Sequence, residues 1–232
     1  MKLTVDSLAK SFDKKEVLKG ASFTFESGKI YGLLGRNGAG KTTFFNILNS
    51  DLPADSGSFI LDTGSTSAVP DPTQIGYVLS TPTVPGFLTA REFLKFYLDI
   101  HKKEIKDLKT IDEYFDMVSL QPEDRNRLLK DFSHGMKNKM QMLLYIISKP
   151  EVLLLDEPLT SLDVVVAEEM KDLLRSMKEG RILIFSTHLL DIAVDLCDEI
   201  VLLSHGVLEL VSKDNLNDAD FKVKIIEALK EE

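Results

Sequence analysis

Cysteine is almost missing from this 232-residue chain: Cys197 stands alone. No internal disulfide is possible, which fits a reducing compartment. Long apolar runs are missing as well. VLLLD at 152–156 and ILIFS at 182–186 are typical, far short of the roughly 20 residues that cross a bilayer, so a membrane role has to come through a partner. The opening MKLTVDSLAKSF has no apolar core of the kind a signal peptide needs. An excess of positive charge is missing too. Lys and Arg number 28 against 37 Asp and Glu, a net charge of −9, which argues against a nucleic-acid-binding surface. There is no internal repeat and no low-complexity linker. The 44% hydrophobic content and the length suit one globular domain with a substantial core.

Alternating β-branched and aromatic residues in KLTVDSLAKSF and GASFTFESGKIYGLLG predict strands, broken by turns at DKKE and ESGK. SGSFILDT and QIGYVLS are further strand candidates. From Thr89 the texture changes. TAREFLKFYLDIHKK sets Phe93, Phe96, Tyr97 and Ile100 at helical spacing, with Thr89 and Glu92 placed as a capping box. KTIDEYFDMVSL and MKNKMQMLLYIIS are helical, so residues 86–147 form a mostly helical block. Strand–helix alternation follows through EVLLLDE, VVVAEEMKDLLRSMKEG, RILIFSTH, LLDIAVDLCD and EIVLLSHGVLELV. Continuous apolar strands divided by helices predict a parallel sheet buried on both faces. Residues 211–232 read as a short C-terminal helix.

Glycines crowd together before the first of these helices. Gly35, Arg36, Asn37, Gly38, Ala39, Gly40, Lys41 and Thr42 match GxxxxGK[ST], between the apolar strand KIYGLLG and a helix. Bare backbone lets N–H groups turn inward around a phosphate, and the helix aims its positive end at the same place. Lys41 is placed to reach β- and γ-phosphates, Thr42 to put its hydroxyl on Mg²⁺, and Thr43 to add a contact to the α-phosphate. Farther on, VLLLDEP ends an apolar run in two acids. The carboxyl edge of a strand is where α/β sheets bind ligands. Asp156 there can hold Mg²⁺ directly or through water, and Glu157 can orient or deprotonate an attacking water. An acidic pair that merely closes a strand–helix turn is the plainer alternative.

The phosphate loop, LLLDEP, TSLD and STH come in the order found in ATP-binding cassette (ABC) ATPases, and the chain resembles that family over essentially its whole length. The resemblance implies an α/β fold: a phosphate-loop NTPase core with an antiparallel β-subdomain (1–85 and 148–210) and an inserted helical subdomain (86–147) in one domain. It implies ATP and Mg²⁺ as cofactors. In FSHGMKNKM, Ser133 and Gly135 match the family signature LSGGQ while Phe132, His134 and Met136 depart from it. The family uses that serine and glycine on ATP held by the opposite subunit; a serine N-cap is the structural alternative. Asp163 of SLD resembles the acid of the loop joining the two sites across the dimer. His188 resembles the switch histidine on the γ-phosphate. Phe12 falls where the family keeps an aromatic stacked on adenine, with a core phenylalanine as the alternative. Aligning IGYVLSTPTVPGFLTARE puts Ser80 where the family has a glutamine or glutamate between Mg²⁺ and the transport partner, and a short neutral serine reaches metal through water.

The resemblance implies an ATPase subunit on the cytoplasmic face of the cell membrane. It would be paired with a second ATPase subunit and a separate transmembrane permease, of the compact bacterial exporter type. Two other readings remain. A soluble relative acting on DNA or the ribosome would usually carry a coiled-coil insertion or two cassettes, and neither is present. A nucleotide-dependent regulator with little hydrolysis is favoured slightly by Ser80 and the altered signature.

Overall fold

In the computed structural model, which describes residues 1–105 and 107–211, the apolar alternation of the first strands becomes one face of a sheet. β1 (Lys2–Phe12) buries Leu3, Val5 and Leu8. The inward phase slips between Val5 and Leu8, where the ladder changes register and Ser7 takes φ 51. β1 pairs antiparallel with β2 (Lys15–Glu26) on one side and with β4 (Ser56–Asp62) on the other, with β5 (Ser67–Ala68) at the edge.

The second sheet has the order β10-β9-β3-β8-β7-β6. β3 (Lys29–Leu34) runs parallel to β8 (Ile182–Thr187) and β9 (Glu199–Ser204), and β7 (Val152–Asp156) runs parallel to β8. β6 (Ile75–Val78) completes one edge. Every residue of β7 and β8 is buried, as the continuous apolar runs predict for strands covered on both faces. EIVLLSHGVLELV, the last member of the strand–helix alternation, is a hairpin of two strands. β10 (Val207–Val211) returns antiparallel to β9 through His205 and Gly206, at φ 51 and 83, the positive values of a two-residue hairpin turn. α1 (Lys41–Leu48) and α6 (Leu190–Leu196) are the helices of this unit, which comprises Met1–Tyr77, Glu151–Glu157 and the described residues from Lys178 on. Its core joins both sheets and α1 through Phe25, Tyr31, Phe44 and Phe45.

The second unit, Val78–Pro150 and Pro158–Met177, is helical. α2 (Ala90–His101) starts on the expected capping box of Thr89 and Glu92. Its buried side is Ala90, Leu94 and Leu98, whereas Phe96 and Ile100 are exposed. α3 (Ile111–Met117) and α4 (His134–Ser148) follow. α5 (Val164–Met177) also groups here, whereas the family resemblance implies residues 148–210 as part of the core. The physical reason is local: α5 packs on α4, where Val166 lies against Gly135. Arg91 and Arg125 both lie over the Phe115 ring and both pair with Asp112, which ties α2, α3 and the following loop together. The expected helix in 211–232 lies outside the described residues.

Candidate active site

Gly40 makes the phosphate loop possible. It caps α1 at φ 106, and an added Cβ would stand 2.7 Å from Val17 Cγ1. Both the conformation and the contact require glycine. Lys41 opens α1 with its side chain only 5% exposed. Its ammonium donates to the carbonyls of Gly35 (2.7 Å) and Arg36 (3.1 Å) and lies 3.5 Å from Glu157 Oε1. Burial pushes the Lys41 pKa down, and the charge of Glu157 opposes that shift. The loop between is open: Asn37 and Gly38 are exposed, and Ala39 N–H donates to Arg36 O.

One residue into α1, Thr42 Oγ1 donates to Asp156 Oδ2 at 2.7 Å. Asp156 ends β7 and is 5% exposed. Its other oxygen accepts from Ser186 Oγ at 2.6 Å, and the same Ser186 oxygen accepts Glu157 N–H at 2.9 Å. The hydroxyl of Thr42 and the carboxylate of Asp156 are adjacent hard oxygen donors, the set that suits Mg²⁺. Glu157 takes φ 50, a left-handed conformation for a non-glycine residue that precedes Pro158. Residues before proline favour extended backbone, so this is a strained position held by its surroundings. His188 Nδ1 lies 3.2 Å from Glu157 Oε1. The sheet therefore brings Lys41, Thr42, Asp156, Glu157 and His188 into one connected cluster.

Two neighbours of that cluster, Ser186 within STH and Tyr77 within IGYV, carry no role in the sequence reading. Ser186 pairs directly with Asp156 in the β7–β8 register, a relation visible only once the strands are aligned. Tyr77, near the end of β6, packs edge-on against Phe45, and burial followed by the Asp156 and Asp51 carboxylates pushes its pKa up.

Phe12 ends β1 at 46% exposure, so it is not a core residue. Lys10 Nζ lies 5.7 Å from its ring centroid and 2.8 Å from Asp55 Oδ1, while Asp55 Oδ2 accepts Ser11 N–H. Those two contacts, that of Lys10 first, hold the Asp55 carboxyl below the ordinary carboxylate range. Beside the phosphate loop, a cleft of about 220 Å³ is lined by Val17, Lys19, Arg36, Gly38 and the His205–Gly206 turn.

The remaining expected residues lie in the helical unit. Ser133 is the N-cap of α4, its Oγ accepting Met136 N–H at 3.2 Å. Asp163 does the same for α5 through Val166 N–H at 3.0 Å. Gly135 is buried, and an added Cβ would meet Val166 Cγ1 at 2.8 Å and Leu162 Cδ2 at 3.5 Å. Its missing side chain serves the packing of α4 on α5. Ser80 is exposed, two residues beyond the end of β6.

A phosphate loop entering a helix, with an acid pair at the end of a strand in the same parallel sheet, one strand removed, defines a nucleotide-binding ATPase domain. A sequence model of the family described as ABC transporter matches residues 18–160. An uncharacterized ABC transporter ATP-binding protein of Bacillus subtilis (strain 168), YxlF, is 33% identical over 207 residues, covering 88% of this chain and 68% of that protein. The chain belongs to the ABC transporter ATP-binding family. Among solved structures, an ATP-binding subunit of an ABC transporter superposes with a TM-score of 0.79 at 21% identity, covering 97% of this chain and 100% of that one. The ATP-binding cassette MJ0796, in a dimeric post-hydrolysis state with ADP and phosphate, superposes with a TM-score of 0.74 at 20% identity, covering 89% and 96%. These likenesses bear out the fold, the antiparallel and parallel sheets with a helical part. The chain is an ATPase that binds ATP as the ATP-binding subunit of an ABC transporter.

Proposed function

We propose that this subunit powers an export permease by ATP-driven, Mg²⁺-dependent closure onto a second ATPase subunit, at the cytoplasmic face of the cell membrane. The observation that carries the reading is the connected cluster of Lys41, Thr42, Asp156, Glu157 and His188. Lys41 and the loop from Gly35 to Thr43 bind the phosphates. Thr42 and Asp156 would hold Mg²⁺, which would offset phosphate charge there. Glu157 accepts the proton of the attacking water, and His188, in hydrogen-bond contact with that carboxylate, fixes its direction toward the terminal phosphate. Phe12, exposed at the end of β1, offers its ring to the base.

Ser133 and Asp163 are exposed at helix starts, which suits residues that act on nucleotide held by another subunit. Among the described residues no helix is long and apolar enough to cross a membrane, so the membrane part is assigned to a separate permease. Exposed Phe87, Phe96 and Ile100 in the helical unit supply apolar surface for it. The test is Glu157→Gln, which keeps shape and removes the base. ATP should still bind, turnover should fall by about 10²- to 10⁴-fold, and an ATP-bound dimer should accumulate in light scattering. Normal turnover would exclude Glu157 as the base. A monomer with ATP bound would exclude closure.

A further inference from the structure

We infer that Ser186 is the positioning residue for the catalytic carboxylate: its hydroxyl locks the backbone of Glu157 to the carboxylate of Asp156, so that the base and the metal-binding acid move as one piece. This rests on the reading of Glu157 as the base.

The chemistry of a hydroxyl suits the task. A serine has one O–H to donate and two lone pairs to accept with. Here the O–H goes to Asp156 Oδ1 at 2.6 Å, and a lone pair takes Glu157 N–H at 2.9 Å. Ser186 is completely buried, so solvent cannot replace either bond. The place matters as much as the bonds. Glu157 holds φ 50 in front of a proline, a conformation that relaxes unless something fixes it. The fixed N–H is that residue's own. Relaxing φ would swing the Glu157 carboxylate away from Lys41 and His188, which lie 3.5 and 3.2 Å from its Oε1.

The end of β8 is organised around this link. Thr187 O accepts Gly35 N–H at 3.2 Å, which anchors the first residue of the phosphate loop, and Thr187 Oγ1 accepts Leu189 N–H. His188 then meets Glu157. Three successive residues thus serve the acids, the phosphate loop and the base, and of these three Ser186 bonds to both acids. Because Asp156 shares Ser186 with Glu157 on one oxygen and Thr42 on the other, a change in how Asp156 is held reaches the base through this hydroxyl.

The test separates positioning from mere stability. Ser186→Ala should lower kcat by about 10- to 100-fold, the size of effect expected from a small misplacement of a reacting group. ATP affinity measured by titration without Mg²⁺ should change by less than about twofold, because the phosphate contacts of Lys41 and the loop are untouched. Ser186→Thr keeps the hydroxyl on a strand-compatible residue and should restore most of kcat. In a Glu157→Gln background, Ser186→Ala should add no further loss in single-turnover rate, since both changes act through one group. Three outcomes overturn the proposal. Ser186→Ala with wild-type kcat would show that the link is idle. Equal losses in ATP affinity and kcat, with no recovery in Ser186→Thr, would show general damage to the site. A further loss in the Glu157→Gln background would show that Ser186 acts elsewhere. If instead Glu157→Gln itself turns over normally, the reading of Glu157 fails first, and this inference falls with it.

Discussion

Lys41, Asp156 and Ser186 are 5% exposed or less and make short hydrogen bonds, Lys41 to Gly35, and Asp156 with Thr42 and Ser186, whereas Ser133 and Asp163 stand exposed at the first turns of α4 and α5. In both units an oxygen accepts a backbone N–H, but the consequences differ. In the sheet-based unit, losing a partner leaves a buried polar group unsatisfied, at about 1–3 kcal/mol. In the helical unit, losing a cap costs about 1 kcal/mol and water takes the freed N–H. Lys41 and Asp156, proposed to work on nucleotide bound by their own chain, are thus pre-organised by burial. Those proposed to work on a second subunit's nucleotide are held by helix ends and left accessible.

The sharpest way to break that contrast is at Lys41. Lys41→Ala removes the buried cation from a loop built around it and should weaken ATP by at least about 100-fold, the equivalent of roughly 3 kcal/mol in a charged hydrogen-bonded contact. A titration showing unchanged affinity would remove the phosphate-loop assignment. Next in size is Gly135. An alanine there meets Val166 at 2.8 Å, so Gly135→Ala should destabilise the protein by about 1–3 kcal/mol of overpacking strain, with ATP affinity kept. Pairing it with Val166→Ala should recover most of the loss. Ser133→Ala should cost about 1 kcal/mol as a lost cap but reduce the turnover of the dimer far more. If both variants behaved alike in stability and turnover, Ser133 would be a cap and nothing else.

The two units also differ in how much of them sequence reveals. The phosphate loop is a contiguous motif whose glycines are dictated by local backbone, so Gly35 to Thr43 can be read directly. Asp156 and Glu157 follow because β7 is an unbroken apolar run that ends in acids. Ser186 could not be read, since its role comes from the register that sets it beside Asp156. In the helical unit, Thr89 and Glu92 mark where α2 starts, but a helix rich in apolar residues does not declare which side is buried. Leu94 and Leu98 face inward and Phe96 and Ile100 do not. The β9–β10 turn was hidden in the same way. His205 and Gly206 interrupt an apolar stretch without the Asn-Gly or Asp-Gly that usually marks a hairpin. That α5 packs on α4 shows in the Val166–Gly135 contact, and periodicity carries no information about that.

Acid sharpens the comparison more gently. Asp112 is held down to about 2 by hydrogen bonds from Arg91 and then Arg125. A carboxylate depressed in the folded state contributes stability that is present above its unfolded value near 3.8 and is lost as pH falls toward 2. Asp112→Asn should therefore lower the melting temperature slightly at pH 7, and the gap from wild type should close between pH 4 and 2. A gap that persisted at pH 2 would mean that the side chain acts through packing and not charge.

The smallest effect is expected at Ser80. We propose that this position lies at the junction of Mg²⁺ and the permease, where the family resemblance implies a glutamine or glutamate. By the family resemblance, serine is shorter than the glutamine or glutamate expected there, so a water would complete the oxygen shell, as Mg²⁺ commonly retains several. Ser80→Ala leaves that water in place and should shift the Mg²⁺ dependence of turnover by less than about twofold. Ser80→Gln supplies a carbonyl that can replace the water and should move half-activation to lower Mg²⁺. Both curves are to be measured with the permease present, since the same loop is proposed to meet it. A large loss of Mg²⁺ affinity in Ser80→Ala would make the hydroxyl a direct ligand and end the water-mediated picture. If neither curve moves, Ser80 is an ordinary exposed loop residue. The contrast between buried, pre-organised groups and accessible ones would then stop short of the metal, whose protein contacts would all belong to Thr42 and Asp156.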